Sequence, residues 1–140
     1  MVGASGPRML RVTAQYADIW NGACTAPERV APLRAQVDAA CHAVGRDPAT
    51  LQRSVAVLVD FTDGQGIPSS FNPARLPPLS GTPEPLAAAL RRFADEGVDR
   101  VQLTPIPMTV ESVYALGAVL GERKGERGNV RRFCRGGFLP

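Results

Sequence analysis

Seven residues near the middle of the chain, Ser54-Val55-Ala56-Val57-Leu58-Val59-Asp60, form an unbroken and mostly β-branched apolar stretch. A strand with one wet face alternates apolar and polar residues. An unbroken run needs cover on both faces, which a parallel sheet layered with helices provides. The flanking chain offers that cover. Apolar residues at helical spacing predict a helix over residues 7–17, with Met9, Leu10, Thr13, Ala14 and Ala17 on one face. A second carries Val30, Leu33, Val37, Ala40, Cys41 and Val44, a third Leu86, Leu90, Phe93 and Ala94, and a fourth Val110, Val113, Leu116 and Leu120. Short strands are expected at Ile19-Trp20-Asn21 and over residues 98–104. Strands alternating with helices imply right-handed βαβ units and one parallel sheet. Four units in this order suit either an open sheet or part of a barrel.

The boundaries carry their own chemistry. Thr25-Ala26-Pro27-Glu28 has the spacing of a capping box. Pro32 requires that the second helix either start beside it or kink there. Gly45 and Gly97 are natural helix stops. Asp47-Pro48 reads as an N-cap followed by a proline at the first helical position, and Thr109 as the cap of the last helix. Residues 61–81 hold four prolines and three glycines and are read as an irregular loop. A loop of that length is either functional or a tolerated surface insertion.

The N-terminus holds the most suggestive chemistry. In Val2-Gly3-Ala4-Ser5-Gly6-Pro7-Arg8, a strand end runs into two glycines and then a proline that opens a helix. Glycine permits close approach to the backbone. A helix start presents unpaired N–H groups and partial positive charge. The combination suits an anion, usually phosphate. It is neither GxGxxG nor a P-loop, and an ordinary tight turn would look the same.

Charge narrows the partners. The net +3 is unevenly spread: residues 121–140 carry a net +4 and the other 120 residues −1. The body therefore has no basic face, and nucleic-acid binding is not expected. The basic segment, residues 122–140, reads as a disordered tail with only Phe133 and Phe138 as aromatics. Cys24, Cys41 and Cys134 form no CxxC pair, so no metal site is expected and the setting is read as reducing and cytoplasmic. No apolar run approaches a membrane span. The single histidine, His42, falls just outside a helical stripe and reads as a surface position.

Three blocks in order then resemble a known family, the luciferase-like monooxygenases, which use a flavin or a deazaflavin. The first is Gly3-Ala4-Ser5-Gly6-Pro7-Arg8-Met9-Leu10-Arg11, continuing through Tyr16-Ala17-Asp18 to Trp20-Asn21. The second is Gly45-Arg46-Asp47-Pro48-Ala49-Thr50-Leu51. The third is Gly81-Thr82-Pro83-Glu84 with Phe93-Ala94-Asp95-Glu96-Gly97-Val98-Asp99 and Val101-Gln102-Leu103. The resemblance covers residues 2 to about 120. It implies an α/β fold that is a partial (β/α)8 TIM barrel, with residues 1–121 matching its last four β/α units. A complete barrel takes about 250 residues, so the expectation is a truncated, C-terminal half.

The resemblance implies an oxidoreductase, either a monooxygenase or a dehydrogenase or reductase of the coenzyme F-420 type, with FMN or coenzyme F-420 as cofactor. Gly3, Ala4, Ser5 and Gly6 would lie against the cofactor phosphate, with Arg8 reaching the phosphate or the cofactor tail. Trp20 and Asn21, at a strand end, would line the pocket. The other readings are core packing for Trp20 and a solvated helix position for Arg8. No catalytic residue is assigned, because the family's reactive side chains come largely from earlier strands. The alternative function is a non-catalytic half-barrel that pairs with another chain, either as a homodimer or with a complementing N-terminal half.

Overall fold

The computed structural model describes residues 1–23, 26–67, 72 and 76–122. The basic tail, Cys24, Cys134, the Thr25 end of the capping box and part of the 61–81 loop lie outside the described residues.

Among the described residues five strands, all parallel, make one sheet: β1 (Val2–Gly3), β2 (Ile19–Gly22), β3 (Gln52–Asp60), β4 (Leu79–Ser80) and β5 (Arg100–Ile106). The apolar run is the central strand. One edge of β3 carries β5 from Ser54 to Asp60. Its other edge carries β2 over Gln52 to Val55 and then β4 at Val59 and Asp60. β1 lies outside β2. The two-residue β4 corrects the expectation of a wholly irregular 61–81 loop, since its ladder bonds satisfy the edge of β3 above the short β2.

Four helices among the described residues cover one side: α1 (Pro7–Tyr16), α2 (Val30–Ala43), α3 (Pro83–Asp95) and α4 (Val110–Glu122). Val55, Val57 and Val59 enter a core with Leu86, Ala87, Leu90, Phe93, Leu116 and Val119. Ser54, Leu58 and Asp60 alternate with them on the opposite face and are also buried. Burial on both faces is the physical reason for the unbroken run. On that second face Met1 Sδ lies 3.3 Å from Gln102 Nε2. The residue just before the first strand meets one in the last strand there, so the sheet curves and this face is concave.

Several helix faces differ from expectation. In α1, Leu10, Thr13, Ala14 and Ala17 are buried but Met9 is exposed. In α3, Ala87 takes the buried place expected of Ala94, which is exposed. The α4 correction is larger. Only Leu116 of its expected stripe is buried, beside Ser112 and Val119, while Val110, Val113 and Leu120 are exposed. This helix is apolar nearly all round, so periodicity alone selects no face. Pro32 is accommodated without a kink: a three-ten turn over Pro27–Arg29 leads into α2, leaving Pro32 in its first turn, where no N–H bond is lost.

The second and third sequence blocks are structural clamps. Gly45 has φ +73, as a helix-terminating glycine requires. Arg46 then reaches back to the end of α1, donating to the carbonyls of Ala14 (3.1 Å) and Ala17 (2.7 Å) while also holding Thr50 Oγ1 (2.9 Å). Asp47 accepts from the Ala49 N–H at 2.9 Å, as its cap assignment predicts. In the third block, Gly97 (φ +80) ends α3, and the Asp99 carboxylate accepts from the Arg53 N–H at 2.8 Å, aligning β5 with β3. Arg46→Ala should cost about 1–2 kcal/mol, because the last carbonyls of α1 lose a charged donor. Urea denaturation should show a lower midpoint with an unchanged slope; no change in midpoint would show that water replaces the guanidinium at no cost.

No described helix is long and apolar enough to cross a membrane. His42 is exposed on α2.

Candidate functional site

Because all strands are parallel, Gly3, Gly22, Asp60 and Ile106 end at the same rim of the sheet. The β1–α1 turn, Asn21 and the loop after β3 cluster at this rim, where barrel proteins build their sites.

The β1–α1 turn is open. Gly3, Ser5, Gly6, Pro7 and Arg8 are all exposed, with Ala4 half-buried. Gly6 is the N-cap of α1 with φ −91 and ψ 152, and no side chain caps the helix. The first intrahelical bond runs from the Leu10 N–H to the Gly6 carbonyl at 2.9 Å. The N–H groups of Arg8 and Met9 therefore have no intrahelical acceptor. No acidic residue sits in the first turn, so nothing offsets the positive helix end.

Neither glycine here is demanded by the chain itself. Both have negative φ. A Cβ added to Gly6 would meet nothing within 4 Å, and one added to Gly3 would touch only the Asn21 carbonyl, at 3.8 Å. What the glycines do is keep the surface over the backbone clear.

Trp20 holds this turn from beneath. Its ring is 1 % exposed and packs with Leu10, Ala14, Ala17, Val37, Cys41 and Leu51 on the helix side of the sheet. Of its two sequence readings, the structure shows the core one. Its role at the rim is indirect, because the indole N–H donates to the Ala4 carbonyl at 2.8 Å. Gly22 makes room for the ring: a Cβ there would lie 3.0 Å from it. Asn21, next in the strand, points to the concave face beside Gly3 in register. Its Oδ1 is buried without a hydrogen-bond partner, an arrangement that ordinarily signals an absent ligand or water.

Asp60 organises the rest of the rim, and sequence reading took it only as a strand end. Its Oδ1 accepts from the Thr62 N–H (2.8 Å) and hydroxyl (2.6 Å), and its Oδ2 from the Gly64 N–H (2.6 Å). Thr62 Oγ1 accepts in turn from the Gly66 N–H at 2.6 Å. Burial pushes the Asp60 carboxyl up, but the three hydrogen bonds outweigh it and hold the group below its ordinary range. The signal was present as Asp60-x-Thr62-x-Gly64, an Asx-type turn following a strand. With both carboxylate oxygens already accepting hydrogen bonds from its own loop, Asp60 is built to hold that loop rather than to move a proton. Burial pushes the Cys41 thiol up, as an inert core cysteine requires.

The sequence-predicted residues thus separate into two groups. Gly3, Ala4, Ser5, Gly6, Arg8 and Asn21 gather at one rim. Trp20 lies behind them in the core.

No protein-family model matches the sequence, and no curated protein matches it. Solved structures do match in fold. A long-chain alkane monooxygenase aligns with TM-score 0.65 at 14% identity, over 99% of this chain and 46% of its own. A riboflavin lyase holding modified FMN and riboflavin aligns with TM-score 0.65 at 17% identity, over 87% of this chain and 42% of its own. A coenzyme F-420-dependent secondary alcohol dehydrogenase, bound to a cofactor–acetone adduct, aligns with TM-score 0.60 at 10% identity, over 86% of this chain and 46% of its own. The chain spans rather less than half the length of each. Its fold is therefore that of part of these enzymes, a partial (β/α)8 TIM barrel.

Proposed function

We propose that this chain contributes the cofactor-phosphate site of a flavin- or deazaflavin-dependent oxidoreductase. The phosphate of FMN or coenzyme F-420 is received at Ser5, Gly6 and the first N–H groups of α1. The carrying observation is that turn: an uncapped helix start, free of acid, under two glycines that the backbone does not need. A phosphate there gains charge-assisted hydrogen bonds from the Arg8 and Met9 N–H groups and the favourable end of the helix dipole. The Arg8 guanidinium adds charge, and the Ser5 hydroxyl a further donor. Trp20 keeps the Ala4 carbonyl turned away from the anion. Asn21 offers an unpaired amide oxygen to the polar part of the cofactor next to the phosphate. When bound, the cofactor supplies the electron or hydride chemistry; the residues described here bind and orient it.

FMN differs from riboflavin by one phosphate, which makes the pair a direct test. Fluorescence titration should show FMN binding about tenfold or more tightly than riboflavin, the equivalent of about 1.4 kcal/mol. Gly6→Glu should abolish that preference while leaving the fold intact, since the position has open space and an ordinary φ. Equal affinity for the two flavins, or an FMN affinity unchanged by Gly6→Glu, would remove the phosphate reading.

A further inference from the structure

Charge is unevenly placed around the β1–α1 turn. Residues 1–17 carry Arg8 and Arg11 and no acid, whereas residues 18–120 carry eight basic and eleven acidic side chains. Arg8 stands in the first turn of α1, where a cation opposes the positive helix end and an acid would be the favourable choice. Among the described residues neither guanidinium has a hydrogen bond or an ion pair. The other described arginines are engaged, apart from Arg100 at the opposite rim of the sheet. Arg34 bonds the Glu96 carbonyl, Arg46 the end of α1, Arg53 pairs with Asp38 and Arg92 with Glu28, and Arg29 and Arg91 also have partners.

The two free cations lie on one exposed stripe. At 100° per residue, Arg8 projects about 170° from the buried stripe of α1 (Leu10, Thr13, Ala14, Ala17), Gln15 about 150° and Arg11 about 110°, all to the same side. Arg11 is about 4.5 Å further along the axis than Arg8, and Gln15 about 6 Å beyond Arg11. Met9 and Tyr16 project to the other side of the helix, so this polar stripe is separate from the apolar one. The stripe begins at the Gly6 end of α1 and runs down its outer surface. Asn21, with its unpaired Oδ1, faces the concave side of the sheet instead. A phosphate held at the turn therefore has a polar surface on each side: inward past Asn21, and outward along Arg8, Arg11 and Gln15.

FMN ends at its phosphate and can use only the inward surface. Coenzyme F-420 is a phosphodiester whose far side continues into a chain of carboxylates. We infer that the cofactor is of this second kind, with its acidic tail lying along the outer face of α1 over Arg8, Arg11 and Gln15. This deepens the phosphate reading of the turn and rests on it. The tail's charge offsets two cations that no described group neutralises, and the Gln15 amide donates to a carboxylate. These contacts are exposed, so each is weak and salt-sensitive. What they decide is which of two cofactors with similar rings the turn prefers.

Fluorescence titration of the full chain compares coenzyme F-420 with the same deazaflavin phosphodiester cut back to its first carboxylate, with FMN and with FAD. At low salt the long tail should tighten binding about tenfold over the cut-back form, and about 0.5 M sodium chloride should remove most of that difference. Arg11→Glu should abolish the difference and Arg11→Lys should keep most of it. Neither should alter the circular dichroism spectrum or change FMN affinity by more than about twofold. Gly6→Glu should weaken all four ligands alike, which separates the turn from the stripe. Equal affinity for the long and cut-back tails, or a difference that survives Arg11→Glu, would overturn the tail assignment and leave the phosphate turn standing. FAD binding as tightly as coenzyme F-420 would put a second phosphate on the stripe and overturn the carboxylate assignment. No saturable binding of any of the four would remove the phosphate reading and this inference with it.

Discussion

Trp20→Ala should leave the chain at the margin of folding, with a loss of about 3–5 kcal/mol against a total of about 5–15 kcal/mol for an ordinary domain. Three effects add. The ring is buried among Leu10, Ala14, Val37, Cys41 and Leu51, so its removal opens a cavity between sheet and helices. Gly22 has already given up its own side chain to make room for the ring, so nothing local fills the gap. The Ala4 carbonyl loses its donor. Trp20→Phe separates these effects, since it keeps most of the packing and removes only the N–H, and should cost about 1–3 kcal/mol. Chemical denaturation measures both. Amide exchange in Trp20→Phe should accelerate at the residues around Ala4 more than in the core of β3. Uniform acceleration instead would mean that the indole bond stabilises the whole domain and does not specifically hold the turn.

Asp60→Ala should be the second most damaging change, at about 1–3 kcal/mol, because three donors lose their acceptor at a buried position. Its pH dependence has a definite sign. The folded-state pKa lies below the unfolded value of about 3.9. Stability from this group is therefore fully present above about pH 4 and is lost as pH falls through the depressed folded value. Removing the carboxyl should flatten the acid limb of the stability curve and leave its slope above pH 5 unchanged. An acid limb identical to that of the unaltered chain would show that other carboxylates carry it. Asp60→Asn is the sharper variant. Its amide can satisfy Thr62 through one oxygen but sets an NH2 against the Gly64 N–H, so it should lose stability and the pH dependence together.

Much of this architecture could be read from the residues. The unbroken β3 run called for a covered parallel sheet. Pro7, Asp47 and Thr109 marked helix starts, and Gly45 and Gly97 marked stops at positive φ, because backbone conformation at such positions is a property of a few neighbouring atoms. The α2 stripe was correct because that helix has one distinct apolar face. Where the pattern failed, the information was not local. Helix α4 is apolar on two sides, and its contact with α3 and β5 selects Leu116 and Val119 over Val110, Val113 and Leu120. β4 is two residues long, too short for any periodicity, and exists because β3 has an edge to fill above the end of β2. Trp20 reads as pocket wall or, rather better, as core, and only the pleat assigns its face.

The site divides in the same way. The glycine turn, its helix and its lack of acid are properties of consecutive residues, and the sequence alone determined them. That Trp20 grips Ala4 from sixteen residues away, that Asn21 stands beside Gly3 with an unpaired oxygen, and that Asp60 gathers its loop were decided only by tertiary structure. Hydrogen bonds between strands and across turns depend on register, and register is set by how the whole sheet packs against its helices.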